Sequence, residues 1–91
     1  MAKYTVILSD RAQKELNSIE ANIAEGLKAD ILSLEDNPRP FGVRKLKGYK
    51  DLWRIKSNVY RIIYRIKDDI VTVIVVRIAH RKEVYRNIKS L

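Results

Sequence analysis

Between Trp53 and Tyr64, apolar and basic side chains alternate, and no other stretch limits so tightly what this chain can fold into. Two runs rich in β-branched and aromatic residues flank Ser57-Asn58, which predicts a β-hairpin with that pair as a two-residue loop. In that register Lys56 faces Val59, Ile55 faces Tyr60, Arg54 faces Arg61 and Trp53 faces Ile62. Strand side chains point alternately to the two faces. Trp53, Ile55, Tyr60, Ile62 and Tyr64 therefore share one face, and Arg54, Lys56, Arg61 and Arg65 share the other. The first is a core face. On the second, like charges directly opposite each other cost roughly 0.2–1 kcal/mol, and nothing in the hairpin neutralises Arg54 against Arg61. Two readings are open: a solvated basic surface, or a site whose missing counter-ion is a phosphate, which arginine grips through paired hydrogen bonds.

The flanking sequence supplies the rest of a single domain, 91 residues long. Tyr4 to Leu8 is a short β-branched run, a first strand. Ser9 and Asp10 follow as N-cap candidates, with Asp10 and Gln13 spaced as a capping box. Leu16, Ile19, Ile23, Leu27, Ile31 and Leu34 then recur every three or four residues, the spacing of a helical stripe. Asn17-Ser18 reads as a second N-cap, so the pattern predicts a short helix from about Asp10 and a longer one from about Ser18 to Asp36. Asn37 to Gly42, with two prolines and a glycine, ends it. After the hairpin, Asp68-Asp69 predicts another tight turn, and Ile70 to Val76 a buried strand. Without a bulge, Val76, Ile78 and His80 fall on the basic face. Val84 and Ile88, four apart, predict a short terminal helix over Ile63, Ile74 and Val76, with Tyr85 near the cations. The expected fold is α+β: an antiparallel four-stranded sheet, the N-terminal strand plus a three-stranded meander, with a helical hairpin on one face.

Charge is distributed unevenly. Residues 1–38 hold four Lys/Arg against seven Asp/Glu, whereas residues 39–67 hold ten against one. That polarity predicts a polyanionic partner, nucleic acid before anionic lipid. Three of the nearby aromatic residues lie on the core face, which leaves Tyr49 and Tyr85 for base stacking. The chain has no cysteine, no Gly-rich phosphate loop, no metal-ligand spacing and no Ser-His-Asp set. No cofactor, metal or membrane contact is expected, and the lack of an apolar leader predicts a cytoplasmic protein. His80, the only histidine, is either a structural residue or a catalyst placed at the end of the central strand.

A strand, a helical hairpin, Lys45-Leu46-Lys47-Gly48, Trp53-Arg54-Ile55-Lys56, Tyr60 to Tyr64 and the ending His80 to Tyr85 occur in that order. In order and spacing the chain resembles the RelE/ParE toxin superfamily of type II toxin–antitoxin systems, over nearly its whole length. The resemblance implies a RelE-like fold and a metal-independent endoribonuclease that cuts mRNA in the ribosomal A site, neutralised by a cognate antitoxin through an acidic amphipathic helix. In that chemistry the ribose 2′-OH attacks its own phosphate, which requires a base, cations around the phosphorane and an acid for the leaving oxygen. By resemblance Lys56 is the base, Arg61 with Arg54 clamps the phosphate, and Arg81 or His80 is the acid. Tyr85 stacks on or orients a base, and Lys45, Lys47 and Arg65 join Arg54 in substrate binding. The alternatives are a ParE-like inhibitor of DNA gyrase and a non-catalytic nucleic-acid-binding module.

Overall fold

Of the two N-cap candidates, Ser9 starts the helical layer: its Oγ accepts from the Ala12 N–H at 3.1 Å. Asp10 is already helical and Gln13 Nε2 donates to Asn17 Oδ1 at 3.0 Å, so the expected capping box does not form. The computed structural model describes residues 3–86. Its elements in order are β1 (Thr5–Leu8), α1 (Asp10–Asn17), α2 (Ala21–Ser33), β2 (Arg44–Lys45), β3 (Leu52–Ser57), β4 (Tyr60–Lys67) and β5 (Thr72–His80). Ser18 closes α1 rather than opening α2, because its N–H is already bonded to the Lys14 and Glu15 carbonyls. The longer helix therefore begins three residues later than the Asn17-Ser18 cap signal suggests and ends at Ser33 rather than Asp36.

Five strands form one sheet in the order β1-β5-β4-β3-β2. Two corrections follow. Arg44–Lys45 adds a short edge strand, and β1 lies parallel to β5, so the sheet is mixed rather than antiparallel. Strand direction depends on which edge the chain reaches after the helices, and no local pattern in β1 encodes it.

Both hairpins pair two residues away from the expected register. The β3–β4 loop is Asn58-Val59, with Ser57 opposite Tyr60, Lys56 opposite Arg61, Arg54 opposite Ile63 and Trp53 opposite Tyr64. Asn58 adopts φ 58°, a left-handed conformation that asparagine tolerates better than most residues. Because the shift is even, every side chain keeps its predicted face. The β4–β5 connection is longer than an Asp-Asp turn: Asp68–Ile70 form a 3-10 turn and Val71 follows at φ 50°. Ile66 then pairs with Val73 and Tyr64 with Val75.

Here a bulge intervenes. Tyr64 pairs with Val75 but Ile63 pairs with Arg77, leaving Val76 as the extra residue. The slip of one residue turns Ile78 and His80 onto the helix side, opposite Ile62 and Tyr60. This overturns their expected place among the cations.

Apolar residues bury on both sides of the sheet. The larger core joins Leu16, Leu27, Ile31 and Leu34 of the helical layer to Ile55, Ile62, Tyr64, Val73 and Ile78. The smaller one, on the second face, joins Leu52, Ile63, Val76 and Ala79 to Val84. Residues 81–86 form consecutive turns, with Val84 N–H bonded to His80 O at 3.0 Å and Arg86 N–H to Glu83 O at 3.0 Å. These residues take no helical assignment, and Ile88, on which the predicted terminal helix also rested, lies outside the described residues.

Candidate active site

The second face carries the cations in rows set by strand register. One row runs Lys56, Arg61, Ala79; the next runs Arg54, Ile63, Arg77. Lys56 is exposed at the end of β3. Arg61 is half-buried, and its Nη1 donates to the Tyr60 and Asn58 carbonyls at 2.9 and 3.3 Å, which folds its guanidinium toward the hairpin tip. Arg81 reaches the same end of the sheet, where its N–H bonds to Val59 O at 2.8 Å. Val84, fully buried against Leu52, Ile63 and Val76, anchors the turn that carries Arg81 and the half-exposed Tyr85.

Arg54 differs from its neighbours. It is only 9% exposed, and its buried Nε has no hydrogen-bond partner among the described residues. A buried N–H without an acceptor costs about 1–3 kcal/mol. The register sets Arg44 directly opposite Arg54, adding to this face a further cation that the alternation of the hairpin does not include. Only a strand assignment for two residues could have found it.

The remaining candidates scatter. Arg65 is taken up by Asp51, which also binds Lys67 at 2.7 Å. These contacts, with the Lys67 hydrogen bond first, hold the Asp51 carboxyl below the usual range. Arg65 therefore has a carboxylate counter-ion within the chain. Lys45 pairs with Trp53 and lies over its ring at 5.9 Å, on the helix side of the sheet and away from Arg54 and Lys56. Lys47 is exposed in the loop before β3. Tyr49 packs partly against the smaller core. His80 stands edge-on to Tyr60 at 6.0 Å, with its Nδ1 accepting from the Lys82 N–H at 3.1 Å.

Arg77 also escaped the sequence reading, hidden by the bulge. It is 7% exposed, donates from Nη1 to Arg86 O at 2.7 Å and from Nη2 to Glu83 O at 3.3 Å, and sets Nε 3.7 Å from the Glu15 carboxylate. That last distance is an ion pair rather than a hydrogen bond. Arg77 ties the turn holding Arg81 and Tyr85 to α1. Among the described residues no group of three or more His, Cys, Asp or Glu is placed to hold a metal ion, and no helix is long and apolar enough to cross a membrane.

Residues 6–85 match the family described as "ParE toxin of type II toxin-antitoxin system, parDE". The chain is 33% identical over 86 residues to the mRNA interferase toxin RelE of Escherichia coli K12, covering 90% of each, and 27% identical over 88 residues to the putative toxin RelE1 of Methanocaldococcus jannaschii, covering 93% of this chain and 98% of that one. Its fold is similar to a chain of the RelBE2 toxin–antitoxin complex of Mycobacterium tuberculosis, with a TM-score of 0.78 and 25% identity over 87% of this chain and 99% of that one. It is also similar to a chain of the intact E. coli RelBE toxin–antitoxin complex, with a TM-score of 0.74 and 29% identity over 85% and 95%.

Proposed function

Since the chain belongs to the RelE/ParE superfamily of type II toxin–antitoxin toxins, an mRNA-cleaving toxin is the function its geometry supports best, and we propose that it cuts ribosome-bound mRNA through the cationic second face. The observation that carries this reading is Arg54, a residue nine-tenths buried whose Nε lacks a partner among the described residues, one row from Lys56 and Arg61. A phosphate is the counter-ion such a site lacks, and arginine suits it in geometry.

The mechanism follows from the rows. The ribose 2′-OH attacks the adjacent phosphorus, and Lys56 takes its proton. Arg54 and Arg61 neutralise the negative charge that grows on the non-bridging oxygens as the phosphorane forms. The bond to the 5′-oxygen then breaks, leaving a 2′,3′-cyclic phosphate and a 5′-OH. Arg81 stabilises charge on the departing oxygen, and because guanidinium does not give up its proton, that proton comes from water. His80, turned to the helix side, takes no part. Tyr85 stacks on a base beside the scissile bond. The partner is a cognate antitoxin. An acidic amphipathic helix suits the cations of the second face, where Ile74 remains partly exposed.

The test is to induce the protein in cells and map mRNA 5′ ends by primer extension, beside an Arg61→Ala control. Wild type should create new ends that require translation, and Arg61→Ala should cut about 10²- to 10³-fold more slowly, the range for losing one group that stabilises the transition state. A fully active Arg61→Ala would overturn the site. Growth arrest with broken DNA and no new RNA ends would move the function to gyrase.

A further inference from the structure

We infer that Phe41 and the cavity beside it form a subsite for an RNA base next to the scissile phosphate. The inference rests on the mRNA-cleaving reading above and extends it to residues outside the cationic rows.

Phe41 is 99% exposed, the extreme among the large apolar side chains of the described residues. Its exposure is not looseness, because the loop is anchored on both sides of it. Pro38 and Pro40 restrict the backbone. The buried Tyr64 hydroxyl donates to Pro38 O at 2.7 Å. The Arg39 guanidinium bonds Asp68 at 2.8 Å and lies 5.0 Å over the Trp53 ring. Beyond Phe41, Gly42 at φ 89° closes a turn in which Val43 N–H bonds to Pro40 O at 3.0 Å. A rigid loop thus holds an aromatic ring in water.

Beside the ring lies a cavity of about 250 Å³, lined by Asp30, Ser33, Phe41, Ile55 and Lys56 among others. It exists because β2 accompanies β3 only as far as Arg54, so Ile55–Ser57 has no strand on that edge. The volume is below the roughly 300–1,000 Å³ of sites for drug-sized molecules and suits one planar ring system. The lining selects a base over a phosphate. Phe41 and Ile55 offer apolar surface. The Asp30 carboxylate, which accepts the Ser57 hydroxyl, has lone pairs for the amino or imino hydrogens of a base edge and repels phosphate. The cavity opens on the helix side at the edge of β3. Lys56, which lines it, also stands opposite Arg61 on the other face, so a strand whose phosphate lies on the Lys56–Arg61 row can pass its neighbouring base round that unpaired edge. Unpaired RNA bases are recognised in this manner, by stacking on an aromatic ring and bonding along an edge.

The test uses the full chain in a reconstituted translation reaction programmed with one defined mRNA, comparing wild type, Phe41→Ala, Phe41→Leu and Phe41→Tyr. Loss of a stacking ring should raise the KM for mRNA about tenfold in Phe41→Ala and Phe41→Leu. The kcat, the cleavage positions and the melting temperature should hold, and Phe41→Tyr should restore wild-type behaviour. An unchanged KM in Phe41→Ala overturns the subsite. So does rescue by leucine, which would indicate a merely apolar contact, or weakened antitoxin binding with cleavage intact. A wild-type chain that cuts no mRNA removes the parent reading instead, which the same assay shows directly.

Discussion

Asp51 reaches Arg65 and Lys67 from the loop end of β3, while Arg54, one row along the same face, is left with a buried nitrogen that bonds nothing described. Like charges on one sheet face thus differ in what surrounds them: Arg65 has a carboxylate partner, and Arg54 Nε has no partner among the described residues. A second carboxylate shows the same logic in stability. Asp68 accepts from Arg39 and from the Tyr4 hydroxyl at 2.6 Å, and these bonds, Arg39 first, hold it below the usual carboxylate range. A depressed folded value means that stabilisation is complete above the unfolded value of about 3.9 and fades as pH falls through the folded one. Asp68→Asn should therefore melt below wild type at pH 7, with the gap closing toward pH 2 in thermal melts. A gap independent of pH would contradict the assignment.

At the scale of elements, the bulge at Val76 decides the outcome. Alternation alone sends His80 to the cationic face, and one extra residue sends it to the helices. The hairpin register, by contrast, moved by two and changed no face, although it replaced the expected Arg54–Arg61 pair by Lys56–Arg61. The C-terminal turn depends on packing for its position: Val84 is fully buried, and Arg77 binds the Glu83 and Arg86 carbonyls. Val84→Asp places a charge in that small core and should release the turn with Arg81 and Tyr85. Cleavage should fall by at least about tenfold while far-UV circular dichroism shows the sheet and helices retained. Full activity in that variant would separate the turn from catalysis.

For the whole molecule, the charge polarity of the sequence becomes a two-sided sheet. Arg44, Arg54, Lys56 and Arg61 share the face that lacks the helical layer, while Lys45 lies over Trp53 on the other. Binding of single-stranded RNA to a cleavage-deficient Arg61→Ala chain should weaken linearly in log–log dependence on salt. Arg44→Ala should reduce that slope by about 0.7 and Lys45→Ala should not, one contact on a single strand releasing that fraction of a counter-ion. Equal effects at the two positions would refute the division of faces.

The sequence by itself determined the helical stripe, the Trp53–Tyr64 hairpin, the sorting of its cations from its core residues and the residues that match a toxin superfamily. These rest on parity and local periodicity, which survive an error of two in register. Only the tertiary structure decided that β1 runs parallel to β5, that a bulge removes His80 from the cations, that Asp51 neutralises Arg65 and that Arg54 is buried unpaired. It also decided that Phe41, between a proline and a glycine in a helix-ending loop, is held rigidly in solvent. Direction, register and burial arise from contacts between residues distant in the chain, and no local pattern records which of those contacts will form.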